Sequence, residues 1–497
     1  MSRGALYSLL NIGFVLVMMG AAVITDASNP RVLYVCLLFA ACTSPVVLMD
    51  RINGRYMLLA AALGMYFLLF GASDAATIAL DTTASLSVGV LSPAELVILA
   101  GAVLLILGYQ AAARPAGQSS VLPGKDWSTS TVVTTGVILW AFGAAATWIW
   151  QVYRYRTATE VNQGFGDVTT LGLVIARLVH PLGMLLLAYG LAVTRNRMLL
   201  AMVLAAIAID VMIGFIGDTK ELAMRGLLLV IFARVLVDGK LPKVWLSAGM
   251  AFVIVAFPVF QAYRSDVMGV RGLSRAQAAE DIGHSIQLAL QSRQKVLEGR
   301  SEEYRNPSFL GRNNIKPTLE ILVAKVGHEV RYQDGHTLSL FFMALVPRIL
   351  WPEKPDSSVG QLYNRELHLS DDPDTYISPS FVGDLYWNFG WAGIIAGLPL
   401  FGFLLGSVNR RCDLSQKRSV LRLLVIATTT YLLCARLEDG IAIEFIVWLR
   451  SLAAIGLLNL VFARVRVAVG QPAGLDGSVE APAAAGPAVP RFSNLLR

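Results

Sequence analysis

The chain has 497 residues, 55% of them hydrophobic and only 15% charged, with a formal net charge of +7. Its mean hydropathy of +0.60 lies far from a soluble domain, where roughly 45–50% of residues are apolar and about 25% charged. Those values exclude a water-soluble enzyme and a nucleic-acid binder, and they describe a polytopic membrane protein in which no soluble catalytic domain is left over.

Apolar runs of about 17–24 residues, long enough to cross a hydrocarbon layer of about 30 Å, recur along the chain. They predict twelve spans near 5–24, 32–49, 56–72, 93–112, 131–152, 170–193, 198–216, 221–238, 242–262, 389–408, 418–435 and 440–463. The first run follows a single Arg3 and lacks a small-residue cleavage site, so it reads as a retained helix rather than a signal peptide. Basic residues of the short loops (Arg51 and Arg55, Arg114 and Lys125, Arg195 and Arg197, Lys240 and Lys243, and Arg410 to Arg418) fall on one side. That bias places both termini in the cytoplasm. Four cysteines, Cys36, Cys42, Cys412 and Cys434, contain no CxxC pair, which gives no support to a disulfide framework or a zinc site.

The resulting organisation is all-α. An N-terminal bundle of about nine spans covers 1–262, a large extracytoplasmic segment 263–388, about three C-terminal spans 389–466, and an Ala/Gly/Pro-rich, disordered cytoplasmic tail 467–497. The external segment predicts two amphipathic helices. One starts at a capping box, Ser274 with Gln277. The other starts at Pro317 and carries Leu319, Leu322, Val323, Val326 and Val330 on one face until Gly335. Thr337 to Leu350 is apolar but too short to span, and Pro347 within it with Pro352 and Pro355 after it forbid a regular helix, so it reads as re-entrant or interfacial.

Charges inside a bilayer are expensive and usually face a partner or a polar cavity. Arg177, His180, Asp210, Lys220, Arg225, Arg436 and Glu444 all count to a similar depth near the outer ends of their spans. Ion pairs that fix helix packing, such as Arg177 with Asp210, are one reading, and snorkelling of Lys220, Arg225 and Arg436 to the interface is another. The shared depth favours a polar pocket open to the outer face. With Arg264, Arg271, Arg348 and Lys354 of the external segment, it suits a phosphate or diphosphate on a lipid, because guanidinium matches phosphate oxygens as a planar fork. Trp351, Tyr363, Tyr376, Tyr386 and Trp387 either stack on sugars or form the ordinary aromatic belt. Asp371, Asp372 and Asp374 read as a solvated acidic loop rather than a cation site.

Two stretches, "GHTLSLFFMALVPRILWPEKP" (Gly335 to Pro355) and "SPSFVGDLYWNFGWAGIIAG" (Ser378 to Gly397), together resemble the signature of Wzy-type bacterial polymerases of O-antigen and exopolysaccharide repeat units. "GDTKELAMRGLLLVI" (Gly217 to Ile231) resembles that family's basic turn before a central helix. The resemblance implies a GT-C-like polymerase and ligase fold and a multi-pass enzyme of the inner membrane whose active site faces the periplasm. It implies transfer of a growing glycan from undecaprenyl diphosphate to a lipid-linked repeat unit, without a cofactor or metal. Membrane lipids and a chain-length regulator (a polysaccharide co-polymerase) are the further partners. Cations would stabilise the leaving diphosphate: Arg348 first, then Lys220, Arg225, Arg264, Lys354 and Arg436. A general base would activate the acceptor hydroxyl, with His336, Asp384 and Glu329 as candidates; imidazole ordinarily titrates near neutrality, and Asp384 reads equally as a cap for the tenth span. A ligase, and less readily a flippase, are the alternatives.

Overall fold

The computed structural model describes residues 3–24, 30–49, 54–80, 91–113, 127–156, 166–216, 220–262, 313–346, 359–371, 375–412 and 419–468, with 287, 291 and 351 between them. Regular structure among these residues is helical. The N-terminal part runs α1 (Arg3–Ile24), α2 (Pro30–Thr43), α3 (Pro45–Leu48), α4 (Met57–Phe70), α5 (Ala72–Leu80), α6 (Pro93–Ala113), α7 (Thr129–Arg156), α8 (Gly166–Thr194), α9 (Arg197–Ile216), α10 (Lys220–Asp238) and α11 (Lys243–Ala262). Four short helices follow: α12 (Lys316–Lys325), α13 (His336–Leu345), α14 (Val359–Leu367) and α15 (Ser380–Phe389). The chain then forms α16 (Trp391–Arg411), α17 (Val420–Thr429), a π turn (Thr430–Cys434) and α18 (Ile441–Ala468).

Seven helices are long and apolar enough to cross a membrane, and the α4–α5 pair, bent by 51° at Gly71, makes an eighth. All twelve apolar segments contain a helix. The others fall short for visible reasons. α8 has its apolar stretch only from Leu178 to Thr194, α11 only to Ala256, and α17 with the π turn is brief, while α10 carries Glu221, Arg225, Arg234 and Asp238.

Three local expectations are corrected. The helix opening near Pro317 stops at Lys325 rather than Gly335, because Val326 is extended and Gly327 takes a φ of +88°. Gly335, at φ +87°, instead precedes α13 as its N-cap. The tenth apolar segment is preceded by a separate helix, α15, with Gly390 (φ +58°) at the break. The amphipathic helix near Ser274 and the 467–497 tail lie outside the described residues, apart from helical 287, 291 and 468.

The two ends of the sequence interlock. A side chain at Gly108 would collide with the Pro399 carbonyl, and one at Gly402 with that of Leu105, so glycine lets α6 and α16 pack backbone to backbone. Asn409 near the end of α16 reaches back to α4, its Oδ1 accepting from Leu58 N (2.9 Å) and its Nδ2 donating to Gly54 O (3.0 Å). Lys316 at the start of α12 sits in a buried cage. Its Nζ lies 2.6 Å from both Asp74 Oδ2 and Glu95 Oε1 and 4.4 Å from the centre of the Tyr34 ring.

Candidate functional site

Side chains at Gly143 and Gly183 would strike His180 and Trp140 across the α7–α8 contact. The resulting close approach holds both rings beside Asp210 of α9. His180 Nε2 is 2.8 Å from Asp210 Oδ1, and Trp140 Nε1 donates to that same oxygen at 3.2 Å. On the other edge of the imidazole, Arg225 Nη2 of α10 lies 2.7 Å from Nδ1. Thr147 Oγ1 is 3.3 Å from Nδ1 but donates to Gly143 O at 2.6 Å, so it is no activated nucleophile. His180, Asp210 and Arg225 are all buried.

One turn before Arg225 stands Glu221, which joins this group to a second. Glu221 pairs with Arg436 and accepts from the Tyr431 hydroxyl. Arg436 also contacts Glu444 Oε1 (3.0 Å) and Asp439 Oδ2 (3.4 Å), and its guanidinium lies 5.6 Å from the centre of the Tyr431 ring. Tyr431 belongs to the π turn, a widened helical turn of a type often found at functional sites. It also borders a small apolar cleft of about 20 Å³ between α8, α10, α17 and α18, lined by Leu178, Pro181, Leu182, Leu229 and Leu432.

Arg436 thus meets three carboxylates. An incoming anion must displace one of them, and exposure shows which: the Glu444 side chain is 1% exposed and that of Asp439 23%, whereas that of Glu221 is 49% exposed. In the turn before α18, burial and neighbouring Asp439 push the Glu438 carboxyl up to about 7 against the pull of Arg436. The Glu438 carbonyl is held by the hydroxyl of Ser378 and, at 2.9 Å, by the amide of Ser380.

Asp384 caps a different helix from the one read in the sequence. It lies inside α15, fully buried, accepting from Thr337 Oγ1 (2.5 Å), Asn388 Nδ2 (3.1 Å) and Ile441 N (3.0 Å). Ile441 opens α18, so Asp384 caps α18 rather than the tenth span. Burial raises its carboxyl against those hydrogen bonds. His336 is exposed at the first turn of α13. Its charge acts on Glu366 of α14, whose carboxyl is raised by burial and lowered by His336 and by Gln333 Nε2 at 2.8 Å. Glu329 is exposed in the loop after α12.

Of the expected cation set, the fold brings Arg225 and Arg436 together on either side of Glu221. Lys220 opens α10, while Arg264, Arg348 and Lys354 lie outside the described residues, as does Arg271. Of the acidic run, only Asp371, which is exposed, is described. Glu221, Tyr431, Glu366 and Glu438 were not singled out in the sequence. Glu221 had a signal, since an acid four residues before an arginine on one helix shares its face.

Residues 151–446 match the family described as Domain of unknown function (DUF8712). The protein belongs to that family. The DUF8712 match takes in His180, Asp210, Glu221, Arg225, Arg436 and Glu444, and leaves out Asp74 and Glu95 of the Lys316 cage. No curated protein and no solved structure matches the chain.

Proposed function

We propose that this protein polymerises undecaprenyl-diphosphate-linked oligosaccharide repeat units at the periplasmic face of the bacterial inner membrane. The observation that carries the reading is the pairing of two buried guanidiniums, Arg225 and Arg436, with an apolar cleft that begins at Tyr431. A lipid diphosphate has that same division: an anionic head for the arginines and a hydrocarbon chain whose first carbons meet the apolar lining of the cleft. The Wzy-type resemblance supplies the reaction. As the glycan leaves, negative charge builds on the diphosphate, and fixed guanidiniums in a site shielded from water stabilise that charge in the transition state.

Glu221 then acts as the displaceable counter-ion that keeps the arginines paired until the head group arrives. His336 takes the proton of the acceptor hydroxyl, with Glu366 beside it as the compensating carboxylate. The chain Thr337–Asp384–Ile441 ties the start of α13 to the start of α18, one turn before Glu444, so base and arginines border the same end of the bundle. Twelve crossings and a GT-C-like arrangement accompany this reading, with α8, α10, α11 and α17 counted as spans. The charges along α10 fit a helix that lines a polar cavity.

The test is a profile of lipid-linked and surface glycans in the native host after deletion, with wild-type complementation. Collapse of long chains to single repeats supports polymerisation. Long lipid-linked chains that never reach an acceptor point to a ligase, and an unchanged profile removes the glycan reading altogether.

A further inference from the structure

We infer that His180 and Asp210 are a positioning pair for Arg225: the imidazole, locked in one tautomer by Asp210, holds the guanidinium toward Glu221 and Arg436. The argument starts from donor inventory. Guanidinium only donates hydrogen bonds, so the 2.7 Å contact from Arg225 Nη2 requires a bare, accepting Nδ1 on His180. The ring's proton then resides on Nε2 and is donated to Asp210 Oδ1 at 2.8 Å. A carboxylate that fixes an imidazole's tautomer so that its other nitrogen can bind a cation is the logic by which carboxylate–histidine pairs support metal ions. Here the cation is a guanidinium.

The surroundings leave the ring no other state. His180 is fully buried, and Thr147, the further neighbour of Nδ1, spends its hydroxyl proton on Gly143 O. Asp210 Oδ2 is buried with no hydrogen-bond partner among the described residues, so this carboxylate is stabilised through Oδ1, by His180 and Trp140. Gly226, next to Arg225, keeps the helices close: a Cβ there would sit 3.2 Å from Asp210 Oδ2. A long flexible side chain loses much rotamer entropy when ordered. Fixing Arg225 before substrate arrives removes that cost from the binding step, which is the use of such a support.

The inference rests on the proposed function only in making Arg225 a ligand for the diphosphate, and its test has one readout independent of any glycan. Histidine-labelled wild-type protein in lipid nanodiscs is examined by nitrogen NMR, with the His180 signals assigned by their absence in His180→Asn. The expected result is a bare Nδ1 and a protonated Nε2, with the Nδ1 signal displaced in Arg225→Ala. A protonated Nδ1 in the wild type, or no displacement, overturns the inference whether or not glycan is made.

The second readout is turnover of a lipid-diphosphate oligosaccharide. His180→Asn offers an acceptor oxygen where Nδ1 was and drops kcat about tenfold. His180→Gln keeps a donor toward Asp210 but loses the acceptor and drops kcat about a hundredfold, the upper range for supporting residues, with KM little changed. Equal kcat values in the two variants overturn the positioning role. Expected spectra with no turnover even in the wild type would sink the glycan reading and leave the His180–Arg225 lock standing.

Discussion

Two buried cation clusters divide this molecule, and they differ in kind. Lys316 is held by Asp74 and Glu95 at 2.6 Å each, with the half-exposed Glu320 at 3.7 Å and Tyr34 against it. Arg436 is held by Glu221, Asp439 and Glu444, of which only Glu444 is fully enclosed. The Arg436 cluster touches an apolar cleft and a π turn. Burial of charge is a poor guide to function by itself. What marks a candidate site is a space beside the charges for something to enter.

The sharpest way to break that comparison is to remove the two cations in turn. Arg436→Ala leaves Glu221 and Glu444 facing each other without compensation, a situation that costs about 3–5 kcal/mol when buried. It should also abolish long glycan chains. Thermal unfolding in detergent and a glycan profile of the complemented deletion strain report the two effects, and a normal profile from folded Arg436→Ala would remove the arginine from the reaction. Lys316→Met should cost a similar stability, about 3–5 kcal/mol, yet turnover per folded molecule should stay within about twofold. A hundredfold fall in folded protein would turn the cage into part of the site and end the distinction.

Sequence alone revealed the helices, because a run of about twenty apolar residues has one stable solution in a bilayer. Of the charges read at one depth, His180 meets Asp210 and Arg225, and Arg436 meets Glu444. That pairing was not legible. Asp210 pairs with His180 and Trp140, partners set by the glycine contact between α7 and α8, while the Arg177 side chain of the alternative pairing lies outside the described ones. Asp384 was read as catalytic or as a cap of the nearest helix. Its true partner, Ile441, lies 57 residues further on, beyond any local pattern. The end of α12 was misjudged because the apolar spacing continues through Val330, while the backbone turns at Gly327.

A gentler probe of the Arg436 cluster is its pH dependence, through Glu438. The carboxyl of Glu438 is pushed from 4.5 up to about 7 in the folded protein, by burial and Asp439 against Arg436. For an acid raised in this way the sign is fixed by linkage. Below about 4.5 both folded and unfolded chains hold the proton, and the group is neutral to stability. Between about 4.5 and 7 the unfolded chain releases it while the folded chain retains it, so stability falls as pH rises. Above 7 both states are ionised and the penalty stays constant. Glu438→Gln should therefore flatten the fall in thermal stability across that window and leave the protein more stable than wild type at pH 8, by the full penalty. A pH profile with the same slope in both proteins would mean that Arg436 compensates Glu438 completely, and that the acid surplus of the cluster is carried by Glu221 and Asp439.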